Sequence, residues 1–346
     1  MYLNRNSTNL SVNLMKHFLS TKDFSRPQLE SFIDAAIEKK ATREAGKPLD
    51  GKSIALVFFN PSFRTRASMQ IAVYELGGNP VVLEPGSTSW SLEYREGVVM
   101  DGQKAEHLKE FVRVLGRYAS AIGVRCFAAL EDWNSERADP VLNAMARYAE
   151  VPIFNLESAM HHPFQAMADM MTLRERFGIR RPKVLLTWAY HPKPLPMAVP
   201  NSFALSATQL GFDLRIAHPQ RYELDDTLVD DLRSFALANG SGLEFTNDPD
   251  SAFDDVDAVY AKSWGSKHFY GKPEAEAVLR KSLKESWIVD GRKMDRGRSA
   301  IFMHCLPVRR NVVVTDGVID SPSSVVIDEA ENRLHIQKAI IAELLK

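Results

Sequence analysis

Cysteine is scarce in this sequence. Its 346 residues include two cysteines, Cys126 and Cys305, which lie far apart and belong to no CxxC or CxxH motif. This spacing argues against a disulfide framework and against a zinc site, because both need closely spaced cysteines or histidines. We therefore expect a chain that works in a reducing cytoplasm and binds no metal ion.

The sequence also lacks an excess of either charge and any long apolar run. Lysine and arginine together number 43 against 44 acidic residues, so the formal net charge is −1. Without a broad basic surface, nucleic acid and anionic membranes are not expected as partners. A membrane span would need about 20 consecutive apolar residues, and the polar N-terminus has no signal-peptide core. We interpret residues 1–14, ahead of Met15, as a disordered extension.

Hydrophobic residues make up 45% of the chain, enough for the cores of about two domains. Short apolar runs such as "SIALVFF", "AIGVR", "PKVLLTWA" and "DAVYAKSW" alternate with longer amphipathic segments. This alternation predicts an α/β fold with two doubly wound parallel-sheet domains linked by helices. We assign residues 15–163 to the first domain and 179–322 to the second. The linking helix is expected from Gln165 to Phe177, and helix 328–346 is expected to pack back on the first domain.

Polar residues collect where several predicted strands end. Directly behind "SIALVFF", the stretch Ser62 to Arg66 ("SFRTR") offers a helix-capping serine, a threonine and two arginines in one turn. Free backbone N–H groups, hydroxyls and guanidinium groups together suit a phosphate. The alternative is a capped helix with a solvated basic face. A nicotinamide-binding site is not favoured, because no GxGxxG follows an early strand.

The boxes "SFRTR", "HPFQ" and "HCLP" together resemble the signature of the ornithine and aspartate carbamoyltransferase family. The resemblance implies two α/β domains with a cleft between them, a homotrimer with shared active sites, and no organic cofactor. It also implies that a neutral amine attacks the carbamoyl carbon of carbamoyl phosphate and that phosphate leaves. A cis bond at Leu306-Pro307 is a further implication.

The family's site residues carry over to matching positions of this chain. The carbamoyl-phosphate-binding set would be Ser62, Phe63, Arg64, Thr65, Arg66, Trp90, Arg125, His162, Gln165, Cys305, Leu306 and Arg333. Within that set, the resemblance gives catalytic roles to Thr65, Arg125, His162 and Cys305. The neighbouring His161 is interpreted as structural. For Trp90, which the resemblance places in the next subunit's site, the alternative is ordinary core packing.

The acceptor side departs from the pattern of ornithine enzymes. Where these carry an acidic residue in "DxWxSMG", this chain has "AKSWGSK", with Lys262 at the acidic position. A lysine there would repel an α-ammonium group by about 1 kcal/mol or more, but would accept an amide oxygen or a carboxylate. The segment therefore resembles the N-acylornithine branch of the family. The alternative is that Lys262 pairs with a nearby acid such as Asp257.

Four further residues complete the acceptor site that this branch implies, namely Glu157, Lys193, Arg309 and Ala105. Arg309 would bind the α-carboxylate, and Lys193 the acyl end. Ala105 stands where acetyl-type enzymes have glutamate and succinyl-type enzymes proline, and the absence of glutamate permits a succinyl carboxylate. Val313 replaces a modified lysine of the acetyl type. We favour N-succinylornithine as the acceptor, with N-acetylornithine and, less favoured, free ornithine as alternatives.

Overall fold

The computed structural model describes residues 17–346, so the extension expected at residues 1–14 lies outside the described part. Two parallel β-sheets, each covered by helices, form an α/β fold in two domains, and this confirms the predicted fold class. The exact domain boundaries stay a prediction.

The first half of the chain forms the first sheet and its helices. Its helices are α1 (Arg26–Thr42), α2 (Arg64–Glu75), α3 (Leu108–Tyr118), α4 (Trp133–Glu136), α5 (Pro140–Tyr148) and α6 (Pro163–Phe177). Its strands are β1 (Ser53–Phe58), β2 (Asn79–Leu83), β3 (Leu92–Glu93), β4 (Glu106–His107), β5 (Ala121–Arg125) and β6 (Ile153–Glu157). The sheet has the order β2-β1-β5-β6, while β3 and β4 form a separate parallel pair.

Both faces of the first sheet are buried, which explains why "SIALVFF" has no polar alternation. Ile54, Leu56 and Phe58 enter one hydrophobic core, which also contains residues of α1, α2 and α6. Ala55 and Val57 point the other way, into a second core with residues of α3 and α5. A strand buried on both faces reads as a continuous apolar run.

The second half of the chain forms a larger parallel sheet. Its strands are β7 (Lys183–Trp188), β8 (Asp213–Ala217), β9 (Leu243–Thr246), β10 (Ala258–Lys262) and β11 (Ile301–Met303), in the order β11-β10-β7-β8-β9. Its helices are α7 (Ala198–Gln209), α8 (Asp226–Asn239), α9 (Pro273–Ser282), α10 (Gly291–Met294), α11 (Asp316–Ile319) and α12 (Val326–Leu344). Short 3-10 turns lie at Thr21–Asp23, Ser251–Phe253 and Lys267–Phe269.

Each sheet reverses its strand order once, and the reversal fixes where a ligand can bind. In the first sheet it falls between β1 and β5, where Phe58 pairs with Arg125. In the second it falls between β7 and β10, where Trp188 pairs with Lys262. In open α/β sheets ligands bind at the carboxyl ends of strands beside this reversal, because the neighbouring loops diverge there.

Two helices connect the halves. The linking helix, expected from Gln165, begins slightly earlier in α6 and ends at Phe177, where Gly178 adopts a positive φ of 62°. The C-terminal helix α12 packs against α1, α2 and α6. No helix in residues 17–346 is long and apolar enough to cross a membrane.

Candidate active site

The stretch Ser62 to Arg66 forms the start of α2, as predicted. The Ser62 hydroxyl accepts a hydrogen bond from the Thr65 backbone N–H at 3.2 Å, which caps the first turn. Arg64 is half-buried, and burial lowers the pKa of its guanidinium. Arg66 donates to the Glu84 carboxylate at 2.7 Å. Both arginines line the cavity described below, so the basic face of this turn is not simply a solvated surface.

Thr65 joins three elements of the structure. Its hydroxyl accepts a hydrogen bond from Arg333 of α12 at 2.8 Å, and Arg125 at the end of β5 lies within 3.4 Å. Burial, and the nearby Arg125, lower the pKa of Arg333 to about 10. The Nε atoms of Arg64, Arg125 and Arg333 are buried and make no hydrogen bond within residues 17–346. Guanidinium groups held this close together favour an anion between them, since among the described residues only Arg125 of the three has a carboxylate partner.

His162 and Glu157 lie beside these arginines. Glu157 accepts from Arg125 at 2.5 Å, and its carboxylate lies 3.4 Å from Nε2 of His162. Burial, followed by the charges of Arg333, Arg125 and Lys262, holds the pKa of His162 well below its ordinary value. His162 is therefore neutral at pH 7. Glu157, which we expected to bind the acceptor, lies in the site with its carboxylate engaged by Arg125.

A buried aspartate anchors the loop that carries His162. The Asp139 carboxylate accepts from the Ser158 hydroxyl at 2.8 Å and from the backbone N–H groups of Ala159 and Met160 at 2.7 and 3.3 Å. The His162 backbone N–H in turn donates to Ser202 of α7 at 2.7 Å. His161 is half-buried outside the walls of the cavity, and desolvation of its ring lowers its pKa to about 4, in agreement with its structural interpretation.

The second sheet supplies the opposite wall. Lys262 ends β10, and the segment after β11 brings His304, Cys305 and Leu306 to the same place, with Leu306-Pro307 in the predicted cis form. Burial raises the pKa of the Cys305 thiol, while Lys262 opposes that shift. Cys305 is therefore a neutral thiol.

The alternative that pairs Lys262 with Asp257 is wrong. Asp257 binds Arg180 at 3.2 Å and the Lys183 backbone N–H at 2.9 Å, at the opposite end of β10. Five residues of extended strand separate it from Lys262, which corresponds to about 16 Å. Within residues 17–346 Lys262 has no ion-pair partner, so its charge is available to a ligand.

These walls enclose a cavity of about 760 Å³, a volume typical of small-molecule sites. Five cationic side chains line it, from Arg64, Arg66, Arg125, Lys262 and Arg333, against the two carboxylates of Glu84 and Glu157. The cavity thus carries a local positive charge on a chain whose net charge is close to zero. Within residues 17–346 no group of three or more His, Cys, Asp or Glu side chains is placed to hold a metal ion.

Most of the predicted site residues meet at this cavity. Its walls include Ser62, Phe63, Arg64, Thr65, Arg66, Arg125, Glu157, His162, Gln165, Lys262, Cys305, Leu306 and Arg333. Four others lie outside the walls, namely Trp90, Ala105, Lys193 and Arg309. Arg309 is exposed but contacts a cavity residue, since its Nε donates to Nε2 of His191 at 3.0 Å.

Trp90 and Ala105 are both exposed on the surface of the first half of the chain. The Trp90 side chain is 58% exposed and donates from Nε1 to Glu106 at 2.8 Å, so the core-packing alternative for this residue is wrong. Lys193 is exposed in the loop after β7, and the neighbouring His191, Leu195 and Pro196 line the cavity in its place.

Several site residues escaped the sequence interpretation. Glu84 and His191 line the cavity and follow the strands β2 and β7. Their position just after a strand is the sequence feature from which both could have been predicted. Asp169 and Glu329 lie just beneath the cavity, each fully buried. Each sits one helical turn from a predicted residue, Asp169 after Gln165 and Glu329 before Arg333, so the i,i+4 spacing could have found them.

Family models match both halves of the chain. Residues 16–175 match the aspartate/ornithine carbamoyltransferase carbamoyl-P binding domain, and residues 197–344 match the Asp/Orn binding domain of the same family. The chain is 47% identical to the N-acetylornithine carbamoyltransferase of Xanthomonas campestris pv. campestris over 96% of this chain and 98% of that protein. It is 40% identical to the N-succinylornithine carbamoyltransferase of Bacteroides thetaiotaomicron over 96% and 99%.

A solved structure matches at the level of the fold. It is a glutamate-to-alanine variant of an N-acetyl-L-ornithine transcarbamylase complexed with carbamyl phosphate and N-succinyl-L-norvaline. The TM-score is 0.92 at 47% sequence identity, over 95% of this chain and 99% of that one.

Proposed function

The chain belongs to the aspartate/ornithine carbamoyltransferase family and is a carbamoyltransferase, and from this premise we propose that its acceptor is an N-acyl-L-ornithine. The reaction moves the carbamoyl group of carbamoyl phosphate to the side-chain amine and yields N-acylcitrulline and phosphate. We also propose a role in arginine biosynthesis and a cytoplasmic location. The observation that carries the proposal is Lys262 in the wall of the cavity, which has no ion-pair partner among residues 17–346.

Carbamoyl phosphate would bind on the first sheet. Its phosphate fits the N-terminus of α2, where the backbone N–H groups, Arg64 and Arg66 converge. Its carbonyl oxygen would face Thr65, Arg125 and the neutral His162, which can donate a hydrogen bond as negative charge develops there. The neutral amine attacks the carbonyl carbon, the bond from that carbon to the phosphate oxygen breaks, and the phosphate leaves with the electron pair. The proton that the amine loses can pass to the phosphate.

The acceptor would bind between this group and the second sheet. Lys262 would receive the acyl carbonyl oxygen or the α-carboxylate, whereas the α-ammonium of free ornithine would be repelled. Arg309, held by His191 at 3.0 Å, is close enough to the cavity to take the α-carboxylate when its loop moves inward. Free ornithine remains the less favoured acceptor, because no carboxylate of the described residues offsets Lys262.

For the acyl group, we propose succinyl over acetyl. Ala105 and Val313 both depart from the residues of the acetyl type, and the solved glutamate-to-alanine relative holds N-succinyl-L-norvaline. Acetyl is the second candidate, since the Xanthomonas relative at 47% identity is named for N-acetylornithine. The test is Ala105→Glu. A glutamate should lower kcat/KM for N-succinylornithine about tenfold and spare N-acetylornithine, because two carboxylates repel each other. If Ala105→Glu lowers kcat/KM equally for both acceptors, Ala105 does not contact the acyl group.

We further propose a homotrimer with shared sites. Trp90 and Ala105 lie outside the cavity of their own chain, so their expected roles require a second copy. Mixing two impaired variants, R64A and W90A, with subunit exchange should restore part of the lost activity, since some hybrid sites would then carry both intact residues. The matched control is R64A exchanged with itself, which should restore none. Failure of the hybrid to exceed that control would refute site sharing.

A further inference from the structure

Two acidic side chains lie against each other beneath the cavity. Asp169 of α6 and Glu329 of α12 are both fully buried, and the Gln165 side-chain nitrogen lies within hydrogen-bond distance of a carboxyl oxygen of each. Two carboxyl groups held this close can bond to one another when one of them carries a proton. Two ionised carboxylates in contact inside a protein would repel each other strongly.

The pair also contacts both halves of the cavity. The Gln165 side-chain nitrogen donates to Asp169 Oδ1 at 2.7 Å and lies 3.3 Å from Glu329 Oε1. On the other side, the His304 backbone N–H donates to Glu329 Oε2 at 2.9 Å. The pair thus joins the linking helix, the C-terminal helix and the segment that carries Cys305.

These contacts fix the orientation of the Gln165 amide. With its nitrogen bound to carboxyl oxygens, its oxygen is the end left for the cavity, and this atom is buried without a hydrogen-bond partner in residues 17–346. The reverse orientation would set the amide oxygen against carboxyl oxygens, which would leave too few protons for the contacts.

The surroundings favour a single proton on the pair. Burial raises the pKa of both carboxyl groups. Arg333 stabilises the ionised form of Asp169, whereas Tyr260 and Cys305, which also face the pair, remain neutral because burial raises the pKa of each. His304, which adjoins Glu329 through its backbone, is buried and neutral as well.

We propose that Asp169 and Glu329 act as a proton-sharing pair of positioning residues, which hold Gln165 with its amide oxygen directed at the substrate and tie this orientation to the His304–Leu306 segment. The ligand group that Gln165 would then recognise is an N–H donor. The amino group of a carbamoyl moiety fits, and this assignment rests on the proposed function.

The test is a double-mutant cycle between Asp169 and Gln165, read as kcat/KM for carbamoyl phosphate with separate kcat and KM values. Asp169→Leu keeps the size and removes the hydrogen bonds, and should lower kcat/KM about tenfold or more. In a Gln165→Ala background the same change should have an effect of about twofold or less, because the contact is already lost. Asp169→Asn can still accept from Gln165 and donate to Glu329, so it should restore kcat/KM to within about threefold of the native value.

The matched control is Asn332→Leu. Asn332 of α12 is equally buried, and its side chain binds Lys40, Thr172 and Glu175, none of which lines the cavity. This variant should lower the melting temperature and leave kcat/KM for carbamoyl phosphate within about twofold. The positioning role is refuted if the fold-losses in kcat/KM of Asp169→Leu and Gln165→Ala multiply in the double variant. It is also refuted if Asp169→Asn lowers kcat/KM as much as Asp169→Leu does.

A second measurement does not depend on activity. The infrared spectrum of the native protein at pH 7 should show a protonated-carboxyl band that disappears in the D169N/E329Q double variant. Absence of that band from the native protein would refute the shared proton, even if Asp169→Leu fails to fold. If the native protein has no activity with carbamoyl phosphate but shows the band, the proposed function fails while the proton-sharing pair stands.

Discussion

Replacing Lys262 with methionine should reverse the choice between acceptors. Methionine keeps most of the side-chain length but removes the only charge that the second sheet contributes to the cavity wall among residues 17–346. We expect kcat/KM to fall for an N-acylornithine and to rise for free ornithine. The two acceptors share the attacking amine and differ in the charge on the α-nitrogen.

The magnitude follows from the position of the lysine. For two unit charges about 5 Å apart at an effective dielectric constant of about 20, the repulsion is roughly 3 kcal/mol. Lys262 is half-buried, so solvent screening reduces this to about 1–2 kcal/mol, or about tenfold in kcat/KM for ornithine. Loss of a charged hydrogen bond to the acyl oxygen or carboxylate costs about 1.5–3 kcal/mol, again tenfold or more. The ratio of the two kcat/KM values should therefore shift by about a hundredfold.

The assay measures formation of the carbamoylated product, citrulline from ornithine and N-acylcitrulline from the N-acylornithine, at saturating carbamoyl phosphate. Lys267→Met serves as the matched control, since Lys267 lies five residues away and pairs with Asp226 at 2.9 Å outside the cavity. That variant should leave the ratio unchanged. If K262M lowers kcat/KM for both acceptors by the same factor, Lys262 does not discriminate between them and the reasoning is wrong.

Three further predictions concern the rest of the site. Arg64→Ala should lower kcat/KM for carbamoyl phosphate about a hundredfold. Carbamoyl phosphate should also raise the melting temperature of the native protein but not that of R64A. Near-normal turnover by R64A would exclude a phosphate site at this turn. Burial lowers the pKa of His162 in the folded protein, so protonation of its ring opposes folding. The protein should therefore keep its full stability above the unfolded-state pKa of about 6.5 and lose stability as pH falls from there towards the folded-state pKa. The ¹⁵N shifts of His162 should therefore stay those of a neutral ring at pH 6, whereas a midpoint near 6.5 would contradict the burial argument. Asp139→Asn should lower the free energy of unfolding by about 2 kcal/mol in urea, because its amide cannot satisfy the same three donors; no change would mean that the loop is held elsewhere.

Local patterns predicted the parts of the fold that they encode. "AIGVR" is a strand of the same bounds, Ala121–Arg125, because a doubly buried strand needs an unbroken apolar run. The sequence interpretation did not identify the strand Ile153–Glu157 or the helix Arg26–Thr42. "IFNLE" carries a buried asparagine and glutamate whose partners come from distant parts of the chain, so its polar residues disguise a fully buried strand.

Some residues of the candidate site could likewise be predicted from a local pattern, whereas the contacts of others could not. Ser62 and Arg64 belong to one contiguous turn whose chemistry can be recognised without the fold. By contrast, the pairing of Arg125 with Glu157 depends on neighbouring strands, and the contact of Arg309 with His191 on two loops. The resemblance supplied residue types for these positions. Their actual partners are set by tertiary packing, which spacing along the chain does not encode.

The most direct test of the account is a citrulline-forming assay with carbamoyl phosphate and three parallel acceptors, namely ornithine, N-acetylornithine and N-succinylornithine. The unpaired Lys262 predicts turnover with an acylated acceptor at a kcat/KM at least about tenfold above that for ornithine. Of the two acylated acceptors, we expect N-succinylornithine to be the better substrate. Turnover with free ornithine alone would contradict the account and would mean that Lys262 does not face the acceptor's α-nitrogen.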